Sequence, residues 1–352
     1  MSIAIDDVTY GKLLPYVKDE NITDINWNGE RLWINHLKRG RYPVNGFYLE
    51  SHFVEQFAQK LKNSMGADYN PCNPVLEAET EELRISIIHN SVSATGTSIS
   101  IRKTPAVMRL NRQKMLETGY CTATVEQFLE NCIRAGMSIV FCGLPGAGKT
   151  ELLKACTAYI PGNQRVITIE DTMEIRYRKI NPLKDSIELK VNKDYFTYED
   201  ALKSVLRQLP DWVLLSEARS VEVKYLIECL SNGTHCLTTL HADDVRKIPD
   251  RMMNMMPEYK ESLRNNIYSF LDVGVLVRAT VTETGIRREI AQIGMFSREG
   301  EKNVMHMICN DRRVNPDKRQ IPSNILRKFE LAGVNEPFLP YCRQGEVRNE
   351  KE

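Results

Sequence analysis

No stretch of this sequence holds the roughly 18 consecutive apolar residues that a membrane-spanning helix needs, which excludes a helical membrane protein. The opening segment carries acids, Asp6 and Asp7, where a secretory leader places a basic and then an apolar region. The expectation is a cytoplasmic chain that can still touch a membrane complex through partners. Metal-ligand spacing is missing too. The nine cysteines, Cys72, Cys121, Cys132, Cys142, Cys156, Cys229, Cys236, Cys309 and Cys342, form no Cys-x-x-Cys pair. Zinc is therefore not expected, and the scattered thiols are expected reduced and mostly buried. Internal repeats and low-complexity segments are absent. So is an excess of charge of one sign: 47 basic against 46 acidic residues give +1. Bulk charge does not drive nucleic-acid binding, and nucleic acid is not an expected partner.

What is present is a chain of 352 residues, 42% hydrophobic and 26% charged, a length comfortable for two domains. The first hundred residues read as mixed α/β. Asp6–Val17 has helical spacing. Ile25–Trp27 and Leu32–Ile34 read as strands joined by an Asn28-Gly29 turn. Phe53–Leu61 reads as an amphipathic helix, and Leu83–Ile88 and Ser98–Ile101 as short strands. Pro105 to Gly119 is polar and basic, a linker or linking helix. After Cys121 strands and helices alternate: Thr124–Arg134 (helix), Met137–Cys142, Arg165–Ile169, Tyr198–Gln208 (a helix that Thr197 and Asp200 box in), Trp212–Leu215, Val221–Leu230 (helix) and His235–Leu240. That alternation predicts a parallel sheet covered on both faces. Asp272–Arg278 and Arg288–Met295 follow as two strands, and the charged tail Arg343–Glu352 is expected to be disordered.

One loop carries chemistry. Gly143, Leu144, Pro145, Gly146, Ala147, Gly148, Lys149 and Thr150 satisfy the phosphate-loop pattern between a buried strand and a helix. The glycines let backbone amides turn toward phosphate oxygens. The helix that begins near Lys149 directs its positive end at the same anion. Lys149 reaches the β- and γ-phosphates, Thr150 offers a hydroxyl to Mg²⁺, and Glu151 follows in the first turn of the helix. A nucleoside triphosphate, with ATP the expected one, is the implied ligand.

Three later segments narrow the reading. Val166–Ile175 is a buried strand ending in Glu170 and Asp171. Leu209–Arg219 holds four apolar residues followed by Ser216 and Glu217. Gly233–Ala242 is a strand with His235 and His241 at its two ends. In a parallel sheet the carboxyl ends of the strands share an edge with the loop, so Glu170, Glu217 and His241 are expected to converge near the γ-phosphate.

These four boxes, in this order, resemble the type II/IV secretion ATPases, hexameric motors for protein secretion, pilus assembly and conjugation. The resemblance covers roughly residues 20 to 300. The absence of a four-cysteine insertion, the short N-terminal domain and Ile325–Val334 followed by Pro337 look like the type IV secretion and tight-adherence pilus branch. The resemblance implies a RecA-like P-loop NTPase core with a smaller α/β N-terminal domain. The divisions it suggests are 1–105, a linker 106–120, a core 121–300 and a C-terminal extension 301–352. It implies that Glu217 activates the attacking water and helps hold Mg²⁺, that Glu170 acts at the same water or metal, and that His241 senses the γ-phosphate. Arg84 and Arg102 match the arginines with which the family's N-terminal domain reaches nucleotide phosphates, a task for which a planar, permanently charged fork is suited. A homohexamer, partnered by inner-membrane components of its machine and driven by movement of the N-terminal domain, is the implied assembly. The sequence departs from the family at Ser216, where Gly is usual, and at Gln208 and Leu209.

Plainer readings stand beside these. Glu170 and Asp171 can cap a strand end, Glu174 can be a solvated surface acid, His235 a packing histidine, and Arg84 an ordinary strand arginine. Arg251–Pro257 reads either as an adaptable methionine-rich partner surface or as a helix packed in the core or against a neighbouring subunit. Leu37–Arg41 reads either as a basic patch for lipid or nucleic acid or as a solvated turn. At the level of function the rivals are a nucleic-acid-translocating ATPase and a nucleotide-gated scaffold that binds ATP without cleaving it.

Overall fold

The computed structural model describes residues 3–256 and 261–340, so the tail Arg343–Glu352 and Cys342 lie outside the described residues. By contacts the chain divides into two units. The first joins Met1–Ala106 to Thr280–Arg287, and the second joins Val107–Ala279 to Arg288–Glu352.

The first unit is a six-stranded sheet. Its strands are β1 (Ile22–Trp27), β2 (Leu32–His36), β3 (Gly40–Pro43), β4 (Val75–Glu79), β5 (Leu83–Ile88) and β6 (Ser98–Lys103). They lie in the order β3-β2-β1-β6-β5-β4, and every neighbouring pair is antiparallel. Strand alternation sends Ile85, Ile87, Ile99 and Ile101 into a core with Val54, Phe57 and Leu61 of the helix Ser51–Met65. The other face is polar, with Asp24, Asn26, Arg84, Ser86, Ser100 and Arg102 in register along it. The Asn28-Gly29 turn joins β1 and β2 as expected. Gly29 has a φ of +98°, and a Cβ there would sit 2.0 Å from the Thr95 carbonyl oxygen.

The second unit holds a nine-stranded sheet. Its strands are β7 (Ile139–Cys142), β8 (Val166–Glu170), β9 (Ser186–Lys190), β10 (Trp212–Leu215), β11 (His235–Leu240), β12 (Val273–Thr282), β13 (Gly285–Glu299), β14 (Lys302–Asn310) and β15 (Arg313–Val314). Their order is β15-β14-β13-β12-β7-β11-β10-β8-β9. Pairing is parallel from β12 through β9 and antiparallel from β13 to β15. β7, β8 and β10 are buried at every position, which is what a sheet covered on both faces demands. Ile139 and Phe141 enter one apolar cluster with the helices Ala123–Arg134, Lys149–Cys156 and Ser323–Leu331. Val140 and Cys142 enter the opposite one with Tyr198–Val205, Glu222–Ser231, Ile248–Asn254 and Glu261–Phe270. At roughly 1.5–3 kcal/mol for each large apolar side chain removed from water, these two clusters dominate the stability of the unit.

Three sequence expectations change. The segment 106–120 is not a free linker: it contains the helix Arg112–Glu117, and Met115 and Tyr120 are buried in the second unit's core. The segment from 301 is not an appendage. β14 and β15 extend the sheet, Phe338 stacks on Phe128 with centroids 4.9 Å apart, and Asn131 holds the carbonyls of Pro337 and Leu339 at 2.8 and 2.9 Å. Residues 280–287, expected in the core, group with the first unit. Strand β9 went unforeseen because its half-buried residues, Ser186–Lys190, show no apolar run.

Lys328, on the helix Ser323–Leu331, clamps this C-terminal segment. Its Nζ lies 2.7 and 2.8 Å from the two carboxylate oxygens of Asp272, which is 2% exposed and also accepts the Ser138 amide at 2.9 Å. Lys328→Met is expected to destabilise the protein by about 1–3 kcal/mol, the cost of leaving a buried charge without its partner, read as a lower midpoint in urea denaturation.

Candidate nucleotide site

The loop 143–150 joins β7 to the helix Lys149–Cys156 and is built on left-handed backbone. Gly143, Gly146 and Gly148 have φ of +154°, +74° and +98°, and a Cβ on Gly143 would lie 2.4 Å from the Val277 carbonyl oxygen. Leu144, Pro145 and Gly146 are exposed, Ala147 is buried and Thr150 is half-buried in the first turn of the helix. Glu151 pairs with Lys154 of its own helix at 3.4 Å. Lys149 is 8% exposed. A buried ammonium needs acceptors, and it has three: the carbonyls of Gly143 and Leu144 at 3.1 and 3.3 Å and His241 Nδ1 at 3.2 Å. Burial lowers its pKa, and the Glu217 carboxylate opposes that shift.

His241 follows β11 and Glu217 follows β10, which are parallel neighbours, so both side chains arrive at the loop's edge of the sheet. His241 Nε2 lies 2.8 Å from Glu217 Oε1. A neutral ring protonated on Nε2 satisfies both of its bonds, accepting from Lys149 and donating to Glu217. Arg251 Nε donates to the His241 carbonyl at 3.1 Å. The other oxygen of Glu217 is held by Arg219, through Nε at 2.8 Å and Nη2 at 2.7 Å, and Arg219 Nη1 reaches Asp171 at 3.1 Å. One connected line therefore runs Lys149–His241–Glu217–Arg219–Asp171 across the ends of β7, β11, β10 and β8.

Glu170 stands beside this line. It is fully buried, and its Oε2 accepts the amides of Glu174 and Ile175 at 2.8 and 2.9 Å. Among the described residues it makes no bond to Lys149, His241 or Glu217, and its Oε1 has no hydrogen-bond partner. Burial pushes its pKa up to about 8 against those two amides, which lower it. Glu174 gives its backbone amide to Glu170, and its carboxylate opposes the burial-driven fall in the Lys149 pKa.

Other candidates separate. His235 is at the opposite end of β11, with its ring centroid 5.1 Å from that of Trp212 and its Nε2 only 2.6 Å from where a Cβ on Gly136 would be; it is a packing residue. Met252 and Met253 are buried in the core. Lys38 and Arg39 are exposed on the β2–β3 turn and Arg41 is exposed on β3, with Arg39 and Arg41 lying over the rings of Tyr42 and Trp33. Arg84 and Arg102 belong to the first unit and face each other across β5 and β6. Arg102 pairs with Asp24 at 3.1 Å and Arg84 with Glu77 at 3.8 Å.

Two arginines were passed over in the sequence. Arg219 was legible as the third residue of Glu217-Ala218-Arg219, since a half-buried carboxylate calls for a cation. Arg288 Nε lies 3.4 Å from the Gly146 carbonyl; nothing local marks it, because β13 meets the loop only through the fold.

A family model described as type II/IV secretion system protein matches residues 71–308. The chain belongs to that family. Relatives named as type IV secretion proteins include VirB11 of Bartonella quintana. VirB11 is 30% identical over 171 residues, 45% of this chain and 47% of that protein. An uncharacterised Bacillus anthracis protein is 26% identical over 299 residues, 81% of this chain and 67% of its own length. The chain thus spans about half of VirB11. Among solved structures, the Yersinia pseudotuberculosis ATPase DotB (TM-score 0.59, 13% identity, 82% of this chain and 78% of that one) shares the fold. So does the pilus retraction motor PilT with bound ADP (TM-score 0.53, 15% identity, 92% and 87%). The second unit is accordingly the family's RecA-like P-loop core.

The donor set suits a triphosphate and its metal. The glycine loop, the buried Lys149 ammonium and the paired His241 and Glu217 stand at one edge of the sheet, with Thr150 in the first turn of the helix that follows the loop. The raised pKa of Glu170 has a consequence for stability. In the unfolded chain this carboxyl ionises near its ordinary value of 4.5, while in the folded protein it keeps its proton to about 8. Its stabilising contribution is complete below the unfolded value and is lost as pH rises toward the folded one. Glu170→Gln, a permanently neutral mimic, is therefore expected to gain thermal stability relative to wild type between pH 5 and pH 8.5, measured by melting temperature at both.

Proposed function

We propose that this chain is an ATP-hydrolysing motor that powers a secretion, conjugation or pilus machine, a reading supported by its relative VirB11, named a type IV secretion system protein, and by a fold shared with the ATPase DotB and the pilus retraction motor PilT. The observation that carries the reading is the bonded line from Lys149 through His241 to Glu217. It puts a carboxylate, a histidine and the loop's ammonium on one nucleotide site. Lys149 neutralises charge on the phosphates. Glu217 takes the proton of the attacking water, with His241 between it and the phosphate-binding lysine. Glu170 supplies a second carboxyl at the same edge, and Arg219 orients Glu217 from the far side. Thr150 and Glu217 would hold Mg²⁺, which would supply charge neutralisation to a bound triphosphate.

The working assembly is a homohexamer docked on membrane components through partners. Arg84 and Arg102 sit side by side on the polar face of the first unit, where a paired guanidinium fork can grip phosphate. Their engagement with ATP and release after hydrolysis would move that unit and do mechanical work.

Lys149→Ala is expected to abolish phosphate release, and normal turnover would end the reading. Glu217→Gln is expected to retain nucleotide binding while losing about a hundredfold or more in turnover. The same assay separates a motor from a scaffold that holds ATP intact. The double variant Arg84→Gln/Arg102→Gln is expected to raise KM for ATP about tenfold or more; an unchanged KM would remove the N-terminal unit from the nucleotide site.

A further inference from the structure

Gln292 is an amide buried in the second unit, and nothing in the nucleotide chemistry above calls for it. It lies on β13 and is 9% exposed. Its Oε1 accepts the backbone amide of Val245 at 3.1 Å, and its Nε2 donates to Asp244 Oδ2 and to Asn310 Oδ1, both at 3.2 Å. A backbone N–H can only donate and a carboxylate can only accept, so these partners decide which way the amide points. Asp244 is ionised, because hydrogen bonds from Arg246 hold its carboxyl well below the ordinary value. Glutamine meets both demands. Glutamate would set a second carboxylate against Asp244, and an apolar side chain would strand the buried Val245 amide and the Asp244 oxygen.

The turn that Gln292 grips is the one that leaves His241. β11 ends at Leu240, which pairs with Cys142 of β7. Asp244 caps the short turn Val245–Lys247 by accepting Arg246 N at 2.8 Å. Val245 is fully buried, and β13 admits it closely: a Cβ on Gly294 would lie 3.2 Å from Val245 Cγ2. Between the strand and this anchored turn stand only His241, Ala242 and Asp243. Arg251 adds its bond to the His241 carbonyl. The backbone that aims the imidazole is thereby held on both sides. The ring has two contacts to keep at once, Lys149 at 3.2 Å and Glu217 at 2.8 Å, so a displaced turn weakens one or both.

We propose that Gln292 is a positioning residue of the ATPase reaction, acting through the Asp244–Val245 turn to hold His241 between the phosphate-binding lysine and the catalytic carboxylate. Among the described residues Gln292 bonds to none of Lys149, His241 and Glu217, so its influence passes through the turn. The inference rests on the reading of His241 and Glu217 given above.

The test is steady-state ATP hydrolysis by full-length Gln292→Met, Gln292→Glu and Asp244→Asn/Gln292→Glu, read beside long-range ¹H–¹⁵N spectra of the histidine rings. Methionine keeps the length of the side chain and removes its bonds. Gln292→Met is expected to lower kcat by roughly three- to tenfold, the effect of lost hydrogen bonds, with KM for Mg-ATP unchanged within about twofold. It is also expected to shift the His241 ring nitrogens, assigned with His241→Gln. Gln292→Glu is expected to be slowed at least as much, by like charge. The double variant exchanges acid and amide between the two positions and still offers the Val245 amide an acceptor, so its turnover is expected within about twofold of wild type. Wild-type kcat in Gln292→Met overturns the proposal, as does a lowered kcat with unmoved His241 nitrogens. If neither single variant folds, the double variant decides alone: near-wild-type turnover supports the proposal, and slow turnover or failure to fold overturns it. His241→Gln keeps the two levels apart. Full hydrolysis there sinks the underlying reading of His241, whereas a slow His241→Gln beside a fully active Gln292→Met sinks the role of Gln292 alone.

Discussion

The site depends on a buried ammonium that must be satisfied. Lys149 lies under the loop with little solvent, and an unpaired cation in such a place is costly. The carbonyls of Gly143 and Leu144 and the His241 ring meet that demand. Each acceptor recruits something else. The loop carbonyls require glycine backbone at 143, 146 and 148. His241 requires β11 beside β7, and its second nitrogen requires Glu217. Glu217 then requires Arg219, and Arg219 reaches Asp171. Satisfying one cation thus organises the ends of four strands.

The sheet makes this possible. β7, β11, β10 and β8 are parallel and adjacent, so their carboxyl ends present four short polar segments at one edge. Both faces are sealed by apolar clusters, which leaves that edge as the place where charged groups meet water and ligand. The two carboxyls there are treated differently. Glu217 is paired, held by the Arg219 guanidinium and the His241 imidazole. Glu170 is enclosed and keeps its proton to about 8, held by the amides of the turn that follows it.

Much of this was legible in the residues. The loop was plain because glycine, lysine and threonine at fixed spacing have few other uses between a buried strand and a helix. Glu170, Glu217 and His241 were legible because four apolar residues followed by a charge mark the end of a buried parallel strand. The capping box at Thr197 and Asp200 was readable for the same local reason. The expectation that Glu170 and Glu217 meet was too simple. They sit on neighbouring strands, but Glu170 turns into the protein and bonds to its own turn.

What the sequence by itself determined was local: which strands are buried, where the loop turns, and which residues stand at strand ends. These follow from side-chain period and backbone permissiveness within a few residues. Only the tertiary structure decided which strand ends are neighbours. It chose Arg219 as the bridge between two carboxylates, set the Tyr198 hydroxyl against the Asp171 amide, and brought Arg288 to Gly146 from 142 positions away in the chain. It also built residues 302–338 into the sheet and core, where the sequence suggested an extension. The reason is physical. Strand order and side-chain reach are set by packing two apolar faces at once, and no local pattern of residues encodes which partner lies alongside.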